Sequence, residues 1–333
     1  MQDGGVASGN KSFFDGGILL HLKLLVVAAS WGLAWVAGRE LATSLPEAIA
    51  AWYRYAITVP LLFIWLYVKE RKEQEKGEAL FVLPQGEMFW KITWIAFFST
   101  FLYQLFFMYG VSRTAAGDAS VIITFNPAFT ALIAIPLLNR RVSPTLVFGL
   151  IVGLIGVIIV TGWSPNDDIP LKTRLVGDFF IMCAAASWAV STNLIKAVLE
   201  DETSDWKPSP LAIVAWSSFF GLILLTPLAS FDFIAHGSES IPDYNAWLWI
   251  FYLAAISTVL AYAWFADGVD EIGATAAATY VYLVPFFGIL SGWMILEESI
   301  GWSLFAGLAL ILIGVKVSQQ ASNEYENYES TKE

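Results

Sequence analysis

Long apolar stretches separated by short polar breaks dominate the chain from about residue 19 onward. Each stretch is roughly 17–25 residues long, the length that an α-helix needs to cross the ~30 Å hydrocarbon core of a bilayer. Apolar helices buried in a soluble core seldom exceed about 14 residues. Because lipid offers no hydrogen bonds to the backbone, the pattern predicts membrane-spanning helices.

The pattern predicts ten such helices in an all-α integral membrane protein. Arg39 and Arg54 interrupt the first two stretches, and the later stretches carry few charges. The predicted spans are Leu19–Leu41, Pro46–Val68, Phe89–Gly110, Ala115–Pro136, Val142–Gly162, Gly177–Val198, Pro208–Phe231, Tyr244–Ala266, Ile272–Leu296 and Ser299–Val317.

Composition supports this class of protein. Hydrophobic residues make up 57% of the chain and charged residues only 14%, whereas a soluble domain is about one quarter charged. The net charge of −11 argues against a nucleic-acid partner, because an acidic surface repels nucleic acid.

The distribution of Lys and Arg predicts the orientation. Basic residues concentrate in alternate loops, as at Arg140 and Arg141, while the intervening loops carry only Arg113, Lys172 and Arg174. Cytoplasmic loops are enriched in Lys and Arg. The sequence therefore predicts a multi-pass protein of the cell (inner) membrane with both termini in the cytoplasm.

The chain also repeats itself. At one constant offset, Ser99-Thr100 matches Ser257-Thr258 and Pro127 matches Pro285. At an offset one residue shorter, Ala28–Trp31 matches Ala185–Trp188. Matches at Pro and Trp in nearly one register indicate a duplicated five-span unit. The predicted segments are a tail at 1–18, a first repeat at 19–162, a linker at 163–176, a second repeat at 177–317 and a tail at 318–333.

An odd number of spans per repeat predicts that the second repeat enters the membrane from the opposite side. The equivalent breaks Asn139–Arg141 and Glu297–Ser299 then lie on opposite sides, which explains why only the first is basic. Inverted repeats are typical of secondary transporters that work by alternating access.

Several motifs resemble the EamA-type repeats of the drug/metabolite transporter superfamily. The resemblance covers about Leu19–Val317. The motifs are AASWGLAWVAGREL and AIAAWYRYA in the first two spans, TAAGDASVIITFNPAFTALIA in the fourth, GDFFIMCAAASWAVSTNLIKAVL in the sixth and LEESIGWSLFAGLALILIGV at the end. The first copy departs from the family pattern at Asn139-Arg140, where an acidic residue is usual.

This resemblance implies a fold and a class of cargo. Helices one to four and six to nine would surround a central cavity, and helices five and ten would lie at the periphery. Known members of the family export amino acids and other small metabolites, including aromatic ones.

The sequence contains little that would support enzyme chemistry. It has two histidines, no HExxH motif, no Cys/His cluster and no GxxxxGK[ST] loop. We therefore expect no catalytic residues, no metal and no cofactor.

The predicted substrate-binding residues are polar or aromatic side chains at membrane depth. Arg54 is the costliest of them, because a central charge costs about 2.5–3.5 kcal/mol; it faces either the cavity or the headgroups, towards which it would snorkel. The others could equally tie helices together. The full set is Trp31, Arg54, Tyr103, Gln104, Asn126, Trp188, Asn193 and Tyr280.

Two prolines are predicted hinges. Pro127 and Pro285 lie inside equivalent spans, remove a backbone donor and favour a kink. A purely structural kink is the alternative.

Together these features predict a secondary transporter of small molecules, with amino acids or related amphiphilic compounds as exported cargo. The alternatives are a transporter of phosphorylated or nucleotide-linked metabolites, and a membrane-embedded channel or enzyme. The predicted partners are a small-molecule substrate and the lipid bilayer. Coupling to a proton or ion, and either a monomer or a homodimer, are compatible with the pattern.

Overall fold

A computed structural model of the protein describes residues 17–73, 82–137, 143–166, 168–201 and 206–330. Within these ranges the chain is helical apart from short connections, which confirms the predicted all-α class. Ten helices are long and apolar enough to cross a membrane, and we number them α1–α10. Their bounds are Gly17–Ser44, Glu47–Arg71, Gly86–Val111, Ala116–Ile135, Pro144–Gly162, Leu171–Leu199, Pro210–Ser240, Tyr244–Ile272, Ala276–Leu296 and Trp302–Gln320.

Some helices extend beyond the predicted spans. α6 begins at Leu171 within the predicted linker, directly after Pro170, and the last helix continues to Ser330 through the predicted tail. α8 runs on to Ile272, and Gly273 at a φ of 86° separates it from α9. Hydropathy marks only the part of a helix that suits hydrocarbon, so it does not reveal charged helix ends.

Glycines bring α5 and α10 into close contact. A Cβ on Gly156 would lie 2.7 Å from the carbonyl oxygen of Gly307, and one on Gly314 would lie 2.5 Å from that of Gly149. Small residues at this spacing allow the backbones of two membrane helices to approach each other. The family resemblance implied a peripheral position for helices five and ten, which stays a prediction; their close contact with each other is an additional finding.

The packing of the remaining helices follows the repeat. α1 packs on α8 and α9, while α6 packs on α3 and α4. α2 packs on α7 and α8, and α3 also packs on α7. When every helix is exchanged for its counterpart five positions along, α2–α7 maps onto itself and each of the other pairs becomes another observed pair. The contacts between the two halves are therefore symmetric under exchange of the repeats.

Four helices are interrupted near their centres, at equivalent places in the two halves. α3 contains a π-helical segment at Phe97–Leu102 and α8 one at Tyr252–Leu260. α4 narrows to a 3₁₀ turn at Ile123–Phe125, and α9 breaks at a turn directly before Val284. Such interruptions free backbone groups and often mark functional sites.

Candidate functional site

Arg54 of α2 is at the centre of a polar cluster that joins three helices. Its Nη1 donates to Gln104 Oε1 of α3 at 3.1 Å, and its Nη2 donates to Thr258 Oγ1 of α8 at 3.0 Å. Gln104 Nε2 in turn donates to the Tyr55 hydroxyl at 3.4 Å. Thr258 lies at the middle of α8, so the cluster lies deep in the bundle and contains residues from both halves.

One hydrogen-bond donor of this cluster, Arg54 Nε, is buried and has no partner among the residues that the structure describes. A buried charged donor without an acceptor is unfavourable, and an anionic ligand would supply the acceptor.

Aromatic rings surround the cluster. Tyr103 of α3 and Tyr262 of α8 both lie close enough to Arg54 to interact with its positive charge. Both side chains are partly buried.

Trp31 and Trp188, the equivalent tryptophans of α1 and α6, each pack on one of these tyrosines. The Trp31 ring packs against Tyr262 at 5.4 Å between centroids, and its Nε1 donates to the carbonyl oxygen of Ser257 at 2.9 Å. The Trp188 ring packs against Tyr103 at 5.2 Å. The structure therefore brings five predicted residues together, namely Trp31, Arg54, Tyr103, Gln104 and Trp188.

The other three predicted residues make separate contacts. Asn193 donates to the carbonyl oxygens of Thr130 and Ala189, so it ties α6 to α4. Asn126 accepts from the Thr130 hydroxyl one turn along the same helix. Tyr280 contacts His21, with 2.6 Å between its hydroxyl and Nδ1. Their predicted roles in binding stay predictions.

Both prolines predicted as hinges stand directly after a helix interruption. Pro127 is the second residue of the α-helical segment that follows the 3₁₀ turn, and Pro285 has the same position after the break in α9. The Ser120 hydroxyl reaches the carbonyl oxygen of Pro285 at 3.5 Å, which links α4 to α9 beside this break.

The cluster also includes residues that sequence reasoning did not select, namely Tyr55, Thr258 and Tyr262. Thr258 had a signal, since Ser257-Thr258 repeats Ser99-Thr100 at the duplicated offset. Both pairs lie in the π-helical segments. Nothing in the sequence distinguishes Tyr55 and Tyr262, because their membership of the cluster depends on how α2 and α8 face each other.

A second polar region lies at one end of the bundle, which we call the Glu298 end. The two carboxylate oxygens of Glu298, in the turn after α9, accept the backbone N–H groups of Ala116 and Gly117 at 2.6 and 2.8 Å. Arg39 of α1 approaches the same carboxylate at 3.8 Å. Burial raises the pKa of Glu298, against the opposing effects of these N–H groups and of Arg39. The second half thus caps the first turn of α4 in the first half.

In the part of the chain that the structure describes, no group of three or more His, Cys, Asp or Glu side chains could hold a metal ion.

Ten helices able to cross a membrane, in two equivalent halves with a polar and aromatic centre between them, are typical of a membrane transporter. The family model described as the EamA-like transporter family matches residues 18–162 and 175–318. The chain belongs to this family, which confirms the family resemblance and the prediction that the protein is a multi-pass transporter and not an enzyme.

Curated relatives agree with this class. The uncharacterized transporter YetK of Bacillus subtilis is 22% identical over 326 residues, covering 96% of this chain and 94% of the relative. A probable amino-acid metabolite efflux pump of Salmonella typhimurium is 24% identical over 209 residues, covering 61% and 67%. A solved crystal structure matches with a TM-score of 0.57 at 17% identity, covering 92% of this chain and 99% of that one, which supports the fold.

Proposed function

We propose that this protein is a secondary transporter that exports amino acids or related amphiphilic metabolites. The observation that carries the proposal is the Arg54 cluster, in which one guanidinium joins residues of both halves and lies near the rings of Tyr55, Tyr103 and Tyr262. Cargo with one carboxylate and an apolar or aromatic body is complementary to such a site.

The Arg54 guanidinium is the group that would bind the carboxylate of the cargo. Arg54 Nε has no acceptor among the described residues, and Arg is suited to bidentate recognition of carboxylates. Such a bond is stronger in a site of low dielectric than in water. Phosphorylated cargo would favour several cations, and the described hydrogen bonds of this cluster involve no second Lys or Arg.

The aromatic rings account for the body of the cargo. Trp31, Tyr103, Trp188 and Tyr262 offer flat apolar surfaces, and aromatic pairs contribute about 0.5–1.5 kcal/mol beyond area burial. The Salmonella relative named as a probable amino-acid metabolite efflux pump supports the same class of cargo.

The mechanism that we propose is alternating access. Two five-helix halves of opposite orientation would rock about the Arg54 cluster and expose it to each side in turn. The interlocked pairing of the halves and the equivalent helix interruptions support this proposal, since interrupted helices bend more readily than continuous ones.

Counter-flow in proteoliposomes tests the proposal. Vesicles containing the purified protein and loaded with unlabelled L-phenylalanine should accumulate radiolabelled L-phenylalanine transiently, because a carrier exchanges cargo across the membrane. Vesicles without protein should not. A channel would equilibrate the label without this overshoot. If none of the twenty amino acids stimulates counter-flow, the proposed cargo is wrong.

A further inference from the structure

A buried acidic pair lies at the Glu298 end, apart from the Arg54 cluster. Asp118 of α4 is 0% exposed and Asp178 of α6 is 3% exposed. They belong to one polar group, since the Thr114 hydroxyl, one turn before Asp118, donates to Asp178 Oδ1 at 2.5 Å. Gly177 permits this approach, because a Cβ there would lie 2.8 Å from the backbone nitrogen of Thr114.

Three of the four oxygens of these carboxyl groups lack a donor among the described residues. Among the described residues, neither oxygen of Asp118 has a hydrogen-bond partner, nor does Asp178 Oδ2. The hydroxyls of Ser164 and Thr161 lie beside Asp118 and Asp178, respectively, but do not reach hydrogen-bonding geometry. An ionised carboxylate away from water requires such partners. A protonated carboxyl has no charge to stabilise and carries a donor of its own.

The balance of charges around the acidic pair favours the binding of one proton. Three carboxyl groups, those of Asp118, Asp178 and Glu298, share this end with two guanidinium groups: the charge of Arg174 acts on both Asp residues, and Arg39 lies 3.8 Å from Glu298. Arg174 is 4% exposed and donates to the carbonyl oxygens at residues 166 and 161. If every group were ionised, the buried cluster would carry one excess negative charge, and a single proton on a carboxyl oxygen removes it.

The other charges nearby do not alter this balance. Arg113, at the end of α3, is paired with Glu47 at 2.8 Å, so that pair is neutral. Asp168 is exposed, and water screens its charge. From α5 and α10, which also pack against α4, the described segments bring no charged side chain into a hydrogen bond or ion pair with this cluster.

The position of the pair links it to the contact between the two halves. Asp118 lies in the turn of α4 whose first N–H groups are held by Glu298 of the second half. Any separation of the halves at this end would change the surroundings of Asp118 and open it to water. Its affinity for a proton would then differ between the closed and open states.

We propose that Asp118, together with Asp178, is a proton-binding site whose loading and release are coupled to transport. The coupling rests on the proposed transport function. An O–H bond forms on a carboxylate oxygen with a proton taken from water, and it breaks when that proton returns to water; no oxidation or reduction takes place.

Infrared spectroscopy tests the site without any cargo. At pH 7 the purified protein should show the C=O stretch of a protonated carboxyl group, because exposed carboxyls are then ionised. Asp118→Asn should abolish this band, and Asp178→Asn should weaken or abolish it. Asp168→Asn is the matched control at the same end of the bundle and should leave it unchanged. A wild-type spectrum without the band, or a band that survives in Asp118→Asn, would overturn the proposal.

A pH-sensitive dye inside proteoliposomes tests the coupling. In the wild type, a gradient of L-phenylalanine should change the internal pH, and in Asp118→Asn the rate of this change should fall to that of protein-free vesicles. Counter-flow should persist in the variant, because exchange needs no net proton movement. Wild-type counter-flow without any pH change would overturn the coupling. An intact infrared band without counter-flow for any amino acid would instead leave the proton site standing and reject the proposed cargo.

Discussion

Arg54 shows how one charged side chain is accommodated within the membrane-spanning part of the bundle. Its guanidinium is held by Gln104 and Thr258, so residues from three helices share the charge. A charge at the centre of a membrane helix costs about 2.5–3.5 kcal/mol on insertion scales. The sequence left two environments open for Arg54, and the observed contacts favour the interior of the bundle over the headgroups.

The first prediction concerns Arg54→Gln. This change removes the charge and should weaken binding of L-phenylalanine about tenfold to a hundredfold, because hydrogen bonds to charged groups contribute about 1.5–3 kcal/mol. Phenethylamine, which lacks the carboxylate, should lose much less. Isothermal titration calorimetry measures both ligands. Arg71→Gln, an exposed position near the end of α2, is the matched control. An equal loss for both ligands would mean that Arg54 supports the fold rather than the carboxylate.

At the scale of helices, two features indicate which parts are rigid and which bend: close glycine contacts and interruptions of the helical backbone. α5 and α10 meet through glycines whose backbones nearly touch, and this pair has a continuous helical backbone throughout. α3, α4, α8 and α9 each contain an interruption near the Arg54 cluster or beside a proline. We therefore expect motion in the interrupted helices and little change between α5 and α10.

The α5–α10 contact gives the second prediction. Gly156→Ala should destabilise the protein by about 1–3 kcal/mol, the usual effect of overpacking, because the new Cβ would lie 2.7 Å from the Gly307 oxygen. Gly162→Ala is the control in the same helix, since a Cβ there meets nothing within 4 Å. Thermal unfolding in detergent should show a lower midpoint for the first variant only. Equal midpoints would mean that α10 can move away freely.

The third prediction concerns the two prolines as hinges. The double variant Pro127→Ala, Pro285→Ala should keep a folded, monodisperse protein but transport more slowly, because continuous helices would resist bending between states. Initial rates of L-phenylalanine counter-flow, compared with binding by calorimetry, separate turnover from affinity. Wild-type turnover in the double variant would make the prolines packing features.

At the scale of the whole molecule, the two halves are interlocked rather than merely adjacent. Glu298 of the second half caps α4 of the first, and Ser299 donates its N–H to Asn166 Oδ1 at 2.8 Å. The equivalent break in the first repeat, Asn139–Arg141, lies at residues outside those that the structure describes. The proposed inversion predicts that the Glu298 end faces outside and that both termini are cytoplasmic.

Cysteine labelling in intact cells tests this orientation. In a Cys183→Ser background, a membrane-impermeant maleimide should label Ser299→Cys before lysis, because Ser299 is exposed at the Glu298 end. Lys207→Cys, exposed directly before α7, should be labelled only after lysis. The opposite pattern at both positions would reverse the orientation. Labelling of both positions in intact cells would reject the three membrane crossings, by α7, α8 and α9, that separate them.

The sequence by itself determined the ten helices, the duplication and the family, because hydropathy and repeated Pro and Trp positions depend only on chain order. It also marked five members of the central cluster, since a lone Arg and paired Trp residues at membrane depth are conspicuous in any apolar sequence. Only the tertiary structure decided that Asn193 ties α6 to α4, that Tyr262 joins Trp31, and that Asp118 shares a buried site with Asp178. The rotation of each helix about its axis decides those contacts. That rotation is determined by packing against neighbours, and a uniformly apolar stretch carries little periodic signal that would reveal it.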